Sequence, residues 1–463
     1  MNTKQTTHFI GIGGTGLSAI ARVLVERGEQ VTGSDREDSQ LAKSLRQIGV
    51  PVNIGHAASN VNGATRVIRS SAIDEDNVEV QAARTKGLPV YKRSDFLGDL
   101  FADQQVIAVA GSHGKTTTTA MIAWMLTALK QKPGFIIGST SQNLGTNAAA
   151  GAGRLFVVEA DEYDYMFLGL SPRFALVTNV EHDHPDMFPN PRDFQSAFEQ
   201  FVDRLQPDGI LLACDEDPGA SELLAFARSK DKQIRIYSHD NPFSDYWIEN
   251  LENSSDGVSF VAMRGATKLA QLDLRVPGIH NALNALGALA ISDLLGLDVN
   301  EAALALSDFR GTSRRFELRG EANGITIIDD YAHHPTEIRS TLAAARAKYP
   351  GGRIWALWQP HTYTRTLALQ NDFAHAFHDA DEVIVTDVFA AREQKPEHFD
   401  MAGIANSVNA RSVRYLPTLT EAQSALLHDL RPGDVLIVMS AGDAIELSEN
   451  LFRSLKDKEA QDA

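Results

Sequence analysis

One cysteine in 463 residues, Cys214, leaves no partner for an internal disulfide. With no second thiol beside it Cys214 is also a poor metal ligand, and a small buried residue is the reading it supports. No apolar run reaches the roughly 18 residues that a membrane helix needs. The opening MNTKQTTHFIGIGG lacks the charged-then-apolar pattern of a secretory signal. The expectation is a cytoplasmic protein with no membrane insertion. Basic residues are also scarce: 43 against 60 acidic residues give a net charge of −17. That balance speaks against nucleic acid and anionic membranes as partners. Anionic small substrates stay open, because they read local charge and backbone amides. What is present, 43% hydrophobic and 22% charged residues, is the composition of a globular protein with ample core.

Short apolar runs alternate with helical patterns along the whole chain. HFIGIG is followed by LSAIARVLVERG, in which Leu17, Ile20, Ala21, Leu24 and Val25 keep helical spacing. EQVTGSD, VPVNIGH, TRVIRSSAI and LPVYKRSDFL continue a strand-like series, which predicts a doubly wound unit over residues 1–103. A second unit, 104–312, opens on VIAVAG and continues through LFVVEADE, FALVTNVEHDH, GILLACDED and QIRIYSH. Within it VSFVAM and AQLDLRV alternate as an antiparallel ribbon does, and PGIHNALNALGALAISDLLGL reads as a long helix. ITIIDDYAH, RIWALWQPH, EVIVTDVF, VRYLP and DVLIVMSAGDA make a further parallel series in a third unit, 313–463. The closing SLKDKEAQDA reads as a frayed polar tail. Three α/β domains in tandem are expected: Rossmann-like, P-loop and Rossmann-like.

Two of the apolar runs end in phosphate-type loops. In HFIGIGGTG, Gly11, Gly13 and Gly16 fit G-x-G-x-x-G, where glycines let a pyrophosphate approach the backbone at a helix N-terminus. Asp35 follows at the distance where an acid holds a ribose hydroxyl. A ligand-free glycine turn is the bland alternative. In VIAVAGSHGKTT, Gly111, Ser112, His113, Gly114, Lys115, Thr116 and Thr117 form a shortened P-loop. Its amides would cradle phosphates, Lys115 would reach β/γ oxygens, and the Thr116 hydroxyl would ligate Mg2+. Val109 stands where the P-loop pattern has its first glycine, so Gly111 must supply the flexibility. With ATP on the second loop, the first is free for another diphosphate.

Acids and histidines gather at the later strand ends. EADEYD offers Glu159, Asp161, Glu162 and Asp164, and VEHDH offers His184, as metal-binding candidates against a solvated acidic end or a structural histidine. DDYAHHPTE and QPHTYTRT place Asp330, Tyr331, His333, His361 and Arg365 where open α/β sheets bind ligands. Arg314 and Arg315, in GTSRRFE, suit a phosphate or carboxylate clamp, with surface salt bridges as the alternative.

GIGGTG, GSHGKTTTT, EADEYD, TNVEHDH, PGIHNALNA, GTSRRFE, DDYAHHPTE and QPHTYTRT, in this order over nearly the whole chain, resemble the Mur ligases of peptidoglycan synthesis. The resemblance implies a UDP-sugar domain, a central ATPase and a C-terminal domain that closes over ATP and amino acid. It gives the first loop to the sugar nucleotide, with Gly14, Thr15, Ser70 and Ser71 joining Gly11, Gly13, Gly16 and Asp35. It places Thr116 and Glu159 on a first magnesium and His184 on a second, and His280, Asn281 and Asn284 near the adenine. Arg315 would meet the γ-phosphate and Asp330 the ATP ribose, while Tyr331, His333, His361 and Arg365 would surround the incoming amino acid. Thr362 stands where some members carry a second arginine.

Many sister ligases have a carbamylated lysine shortly after the DH motif, and DMFPNPRDFQSAFEQF has none. That points to the branch adding L-alanine to UDP-N-acetylmuramate. The implied chemistry is phosphorylation of the lactyl carboxylate by ATP, then attack of the amine on the acyl phosphate. Lys115 and Arg315 would stabilise the transferring charge, and His333, as an imidazole titrating near neutrality, would handle the amine proton. The alternatives are the related ligase that attaches a whole tripeptide and a non-catalytic UDP-sugar-binding protein. A monomer or weak homodimer is expected.

Overall fold

A computed structural model of the chain describes residues 5–462. In its first sheet, β1 (Thr6–Ile10), β2 (Gln30–Asp35), β3 (Val52–Ile54), β4 (Arg66–Arg69) and β5 (Val90–Lys92) lie in the order β3-β2-β1-β4-β5. All its pairings are parallel. Winding reverses between β1 and β4, so the loops leaving those two strands meet; a Cβ built on Gly11 would lie 3.1 Å from that of Ser70. Helix Thr15–Glu26 turns Leu17, Ile20, Ala21 and Leu24 inward, the face its apolar spacing predicts.

The second sheet contains β6 (Gln105–Ala110), β7 (Gly134–Ile136), β8 (Ala148–Ala149), β9 (Leu155–Glu159), β10 (Phe174–Val177), β11 (Ile210–Cys214), β12 (Gln233–Ser238) and β13 (Tyr246–Ser254). Its centre runs β12-β11-β10-β6-β9-β7. These strands are parallel, and β6, β7, β9, β10 and β11 are almost wholly buried, which explains their runs of apolar residues without alternation. β14 (Gly257–Arg264) and β15 (Thr267–Leu274) form the expected antiparallel ribbon, with Ala270, Leu272 and Leu274 buried between exposed neighbours.

The third sheet holds β16 (Glu317–Ala322), β17 (Ile325–Asp330), β18 (Arg353–Gln359), β19 (Glu382–Val385), β20 (Val413–Tyr415) and β21 (Asp434–Ser440), in the order β16-β17-β21-β18-β19-β20. It departs from a purely parallel series at one edge: β16 pairs antiparallel with β17, through an irregularity between Leu318 and Gly320. LRGEA is too polar to announce a strand. Trp358, fully buried on β18, packs against Phe373 and Phe377 at the centre of this module. The C-terminal tail is a second correction. Helix Ile445–Asp462 runs through it, because Leu447, Leu451 and Leu455 repeat every fourth residue and are buried. Asn323 then fastens it, its side-chain amide donating to the Leu455 carbonyl.

The chain divides into two compact units. One takes residues up to Glu181 with Arg192–Trp247 and Leu286–Leu306; the other takes His182–Pro191, Ile248–Ala285 and Ser307 onward. Cys214 is buried in the first unit, where burial pushes its thiol up to about 12, so it is an inert packing residue. Among the described residues no helix is long and apolar enough to cross a membrane.

Candidate active site

The first unit carries both phosphate-type loops. In the first, Gly11 has φ +82°, and its amide and that of Ile12 donate to the Ser34 carbonyl. Gly14 caps helix Thr15–Glu26 with no side-chain cap hydrogen bond, which leaves the first amides of that helix available to an anion. Asp35 accepts from the Gly13 amide at 2.7 Å, so one of its oxygens braces the loop. Ser70 follows β4 opposite Gly11, and Ser71 beyond it is exposed. Gly11, Gly13, Gly14, Thr15, Gly16, Asp35 and Ser70 therefore share one sheet end.

The second loop shows why Gly111 replaces the missing glycine at Val109. Gly111 has φ +132°, and a Cβ there would lie 2.1 Å from Thr178 Oγ1. Gly111→Ala is expected to lower the unfolding free energy by about 1–3 kcal/mol in a urea titration. An unchanged midpoint would show that the loop relaxes freely. Ser112 Oγ accepts from the Glu181 amide at 2.8 Å, and His113 Nε2 lies 3.0 Å from Glu181 Oε2. Gly114, at φ +80°, opens helix Lys115–Ala128, with Thr117 half-buried in its first turn.

Lys115 Nζ donates to Glu162 Oε1 at 2.9 Å and to the Gly111 and Ser112 carbonyls. Burial pulls its ammonium down, but Glu162 and Asp161 outweigh that and raise it, so it stays charged. Thr116 Oγ1 donates to Glu159 Oε1 at 2.9 Å, and the Gly138 amide donates to Glu159 Oε2 at 2.6 Å. Burial raises the Glu159 carboxyl. A hydroxyl and a half-buried carboxylate converging beside a P-loop lysine are the oxygen donors that Mg2+ takes.

The second unit builds a separate cluster from VEHDH, DDYAHHPTE and QPHTYTRT. Arg365, 3% exposed, donates from Nε to Asp183 Oδ1 at 2.8 Å. Its Nη1 lies 3.0 Å from His361 Nδ1, and its Nη2 lies 3.4 Å from His184 Nδ1. Burial opposes the Asp183 charge, yet Arg365, then His184 and His333, hold its carboxyl well below the usual range. His333 Nδ1 sits 2.9 Å from the Tyr331 carbonyl and 3.2 Å from Glu337 Oε2. Glu337 also accepts from Arg315 Nη1 at 3.1 Å, and Arg315 packs over the Tyr331 ring. Tyr331, His333, His361 and Arg365 thus come together as their motifs predict, along with Arg315.

Three details add to the sequence reading. Arg314 turns away from its neighbour, donating from Nη2 to the Ser440 and Gly442 carbonyls, so only Arg315 keeps a side-chain acid for a partner. Asp330 accepts from the Phe316 and Ala332 amides; burial raises its carboxyl to about 6, and it braces the strand end. Thr362 is an N-cap, accepting from the Arg365 amide, and so positions the arginine. Glu337 was not singled out from the sequence. The signal was there: Pro335 starts a helix, and Glu337 completes a capping box with His334. At the start of helix Ile279–Leu294, Asn281 Nδ2 donates to the Pro277 carbonyl and Asn284 Nδ2 to Asn281 Oδ1 at 3.3 Å, near His280.

His333 does not titrate near neutrality. Burial lowers it to about 3, and burial likewise lowers His280 and His361 to about 4. Each is a neutral imidazole at pH 7. Because these values lie below the ordinary His value, the folded state binds protons less readily than the unfolded chain. Their stabilisation is complete above about pH 6.5 and drains away as pH falls toward 4. Asp330, raised to about 6, and the raised carboxyls of Glu159, Asp217 and Asp329 oppose this, favouring the fold as pH falls. The lowered carboxyls of Asp183 and Glu79 act with the three imidazoles, which set the expected direction. Calorimetric Tm is therefore expected to fall between pH 6.5 and 4.5; a rising Tm would contradict the neutral-imidazole assignment.

Three family models match in tandem: the Mur ligase family catalytic domain over residues 6–105, the Mur ligase middle domain over 109–292, and the Mur ligase glutamate ligase domain over 314–442. A UDP-N-acetylmuramate–L-alanine ligase of Pelotomaculum thermopropionicum is 41% identical over 462 residues, covering 99% of each chain. The chain belongs to the Mur ligase family. This Mur ligase also matches a protein of Roseiflexus with the same name at 41% identity, over 97% of this chain and 99% of that one. Among solved structures, the Mur ligase fold here matches the UDP-N-acetylmuramate–alanine ligase of Thermotoga maritima with TM-score 0.83, 30% identity, and 98% and 99% coverage. A murein peptide ligase from Psychrobacter arcticus matches with TM-score 0.71, 26% identity and the same coverage.

Proposed function

We propose that this Mur ligase joins L-alanine to the lactyl carboxylate of UDP-N-acetylmuramate, with ATP converted to ADP and phosphate. The observation that carries the reading is the pair of phosphate-type loops in one unit: one has a lysine, a threonine hydroxyl and a half-buried glutamate beside it, the other glycine amides braced by Asp35. The Lys115 loop suits a nucleoside triphosphate with Mg2+, the glycine loop of HFIGIGGTG a diphosphate held by backbone. The relatives at 41% identity are all alanine ligases, which favours that acceptor over the tripeptide. The family models support domain limits near 103 and 312.

A lactyl carboxylate oxygen attacks the γ-phosphorus and ADP leaves. The L-alanine amine then attacks the acyl carbon, and the tetrahedral intermediate expels phosphate. Lys115 and Arg315 meet the charge that develops on the transferring group. Thr116 and Glu159 would hold a first magnesium, which would supply Lewis-acid neutralisation of the phosphates, and His184 would take a second ion. Ser112, His113 and Thr117 complete the triphosphate loop, and His280, Asn281, Asn284 and Asp330 take the nucleoside. Tyr331, His333, His361 and Arg365 take the amino acid; burial leaves His333 too weak a base to take the amine proton near pH 7, so it is assigned to orienting the amine.

The acyl phosphate gives a direct test. With ATP and UDP-N-acetylmuramate but no amine, borohydride should reduce the trapped intermediate to the muramyl alcohol. Recovery of unreduced substrate alone would contradict activation at the lactyl carboxylate.

A further inference from the structure

Arg365 and His361 come together across a turn that a threonine resists. Thr362, between β18 and helix Tyr363–Ala368, has φ +65° and ψ 144°. β-Branched residues avoid that region, and one persists there only where its neighbours over-determine it. Asp183 fixes the guanidinium of Arg365, but the backbone end of that side chain depends on this turn, where the Arg365 amide donates to Thr362 Oγ1. The neighbours come from the connection that leaves β19. Phe389 lies in parallel register with His361: its amide donates to the Pro360 carbonyl at 2.8 Å, and its carbonyl accepts from the Thr362 amide at 3.0 Å. The two rings stack with centroids 5.9 Å apart. A Cβ on Gly442 would lie 2.5 Å from Phe389 Cγ, so the backbone after β21 closes on the same ring.

Four residues further along the same connection, Glu393 takes the first turn of the helix. Its Oε2 accepts from the Tyr363 amide at 2.6 Å and from the Thr364 amide at 3.0 Å, and its Oε1 accepts from the Thr364 hydroxyl. These are amides that a helix leaves without internal partners, and a carboxylate beside them suits the helix dipole. Of residues 391–398, Glu393 alone is half-buried and the rest are exposed. We propose that Glu393 is a positioning residue for amino-acid recognition: through the first turn of helix Tyr363–Ala368 it holds Thr362 in its strained conformation and so keeps Arg365 and His361 together. It rests on the assignment of those two side chains to the amino-acid site. All of these residues lie in the second unit.

Steady-state kinetics on the full chain, with UDP-N-acetylmuramate saturating, test it. Glu393→Ala should raise the KM for L-alanine at least about tenfold and leave the KM for ATP within about twofold. Glu393→Gln keeps a carbonyl oxygen for the two amides and an NH2 group for the Thr364 hydroxyl, so its alanine KM should stay within about threefold of wild type. Glu393→Asp keeps the charge but shortens the reach, and should raise that KM at least about fivefold; it carries the test if Glu393→Ala does not fold. Thr362→Gly supplies a residue that adopts the turn without strain. On that background Glu393→Ala should raise the alanine KM less than about threefold. An unchanged alanine KM in folded Glu393→Ala or Glu393→Asp would overturn the proposal, as would an equal rise for ATP, the mark of general damage to the module. Equal losses with Thr362 and with glycine would remove strain from the account of Glu393. A wild type that ligates no L-alanine, or an Arg365→Lys enzyme with an unaffected alanine KM, would instead remove the amino-acid-site assignment and the role of Glu393 with it.

Discussion

Lys115→Ala is expected to lower kcat by at least about a thousandfold, roughly 4 kcal/mol of transition-state stabilisation. The affinity for UDP-N-acetylmuramate should stay within about threefold, since the first loop is built from other residues. The pairing with Glu162 adds a consequence. Glu162 is fully buried, and removing Lys115 leaves its carboxylate without its cation, so Lys115→Ala should also lower Tm. Adding Glu162→Gln removes that uncompensated charge and should recover stability without recovering activity. If the double variant regains activity with stability, Lys115 holds the fold together and has no part in phosphoryl transfer. Loss of UDP-sugar binding in a folded Lys115→Ala protein would contradict the separation of the two sites.

Substitution at Arg365 should have the second-largest effect. L-Alanine is small, and its carboxylate is the only charged group left once the amine has reacted, so a cation must carry most of its recognition. Arg365 is placed for that role, but it is also the partner of buried Asp183. Arg365→Ala is therefore expected to cost about 3–5 kcal/mol of stability by leaving Asp183 unpaired. Arg365→Lys is the cleaner variant: it keeps the charge on Asp183 and loses the planar fork of donors. Its KM for L-alanine should rise at least about tenfold, about 1.4 kcal/mol, with a much smaller change for ATP. An unaffected alanine KM in a folded Arg365→Lys enzyme would take Arg365 out of the amino-acid site.

The parts legible in the sequence were those fixed by local chemistry. Buried parallel strands read as apolar runs, and the glycines of GIGGTG and GSHGKTT declared their loops because their backbone conformations admit little else. Motifs at strand ends gave Lys115, Thr116, Glu159 and the His333–His361–Arg365 group. What stayed hidden depends on partners distant in sequence. Nothing local says that Asp183 meets Arg365 across 182 positions, or that Glu337 serves both Arg315 and His333. Arg314 and Arg315 look alike until the fold sends one to backbone carbonyls and the other to a carboxylate. His333 looked like a neutral-pH titrator because burial, which lowers it, is a tertiary property. The polar edge strand β16 and the final helix were missed for a related reason: each is held by the module it packs against.

The central claim is that the chain activates the lactyl carboxylate of a UDP-sugar with ATP and that the acceptor is a single small amino acid. The most direct measurement is ADP release with UDP-N-acetylmuramate and Mg-ATP held saturating while only the amine acceptor varies. The account predicts rapid turnover with L-alanine, slow turnover with L-Ala-γ-D-Glu-meso-diaminopimelate, and none when UDP-N-acetylmuramate is omitted. Faster turnover with the tripeptide would move the chain to the peptide-attaching branch, and ADP release independent of the UDP-sugar would contradict the account outright.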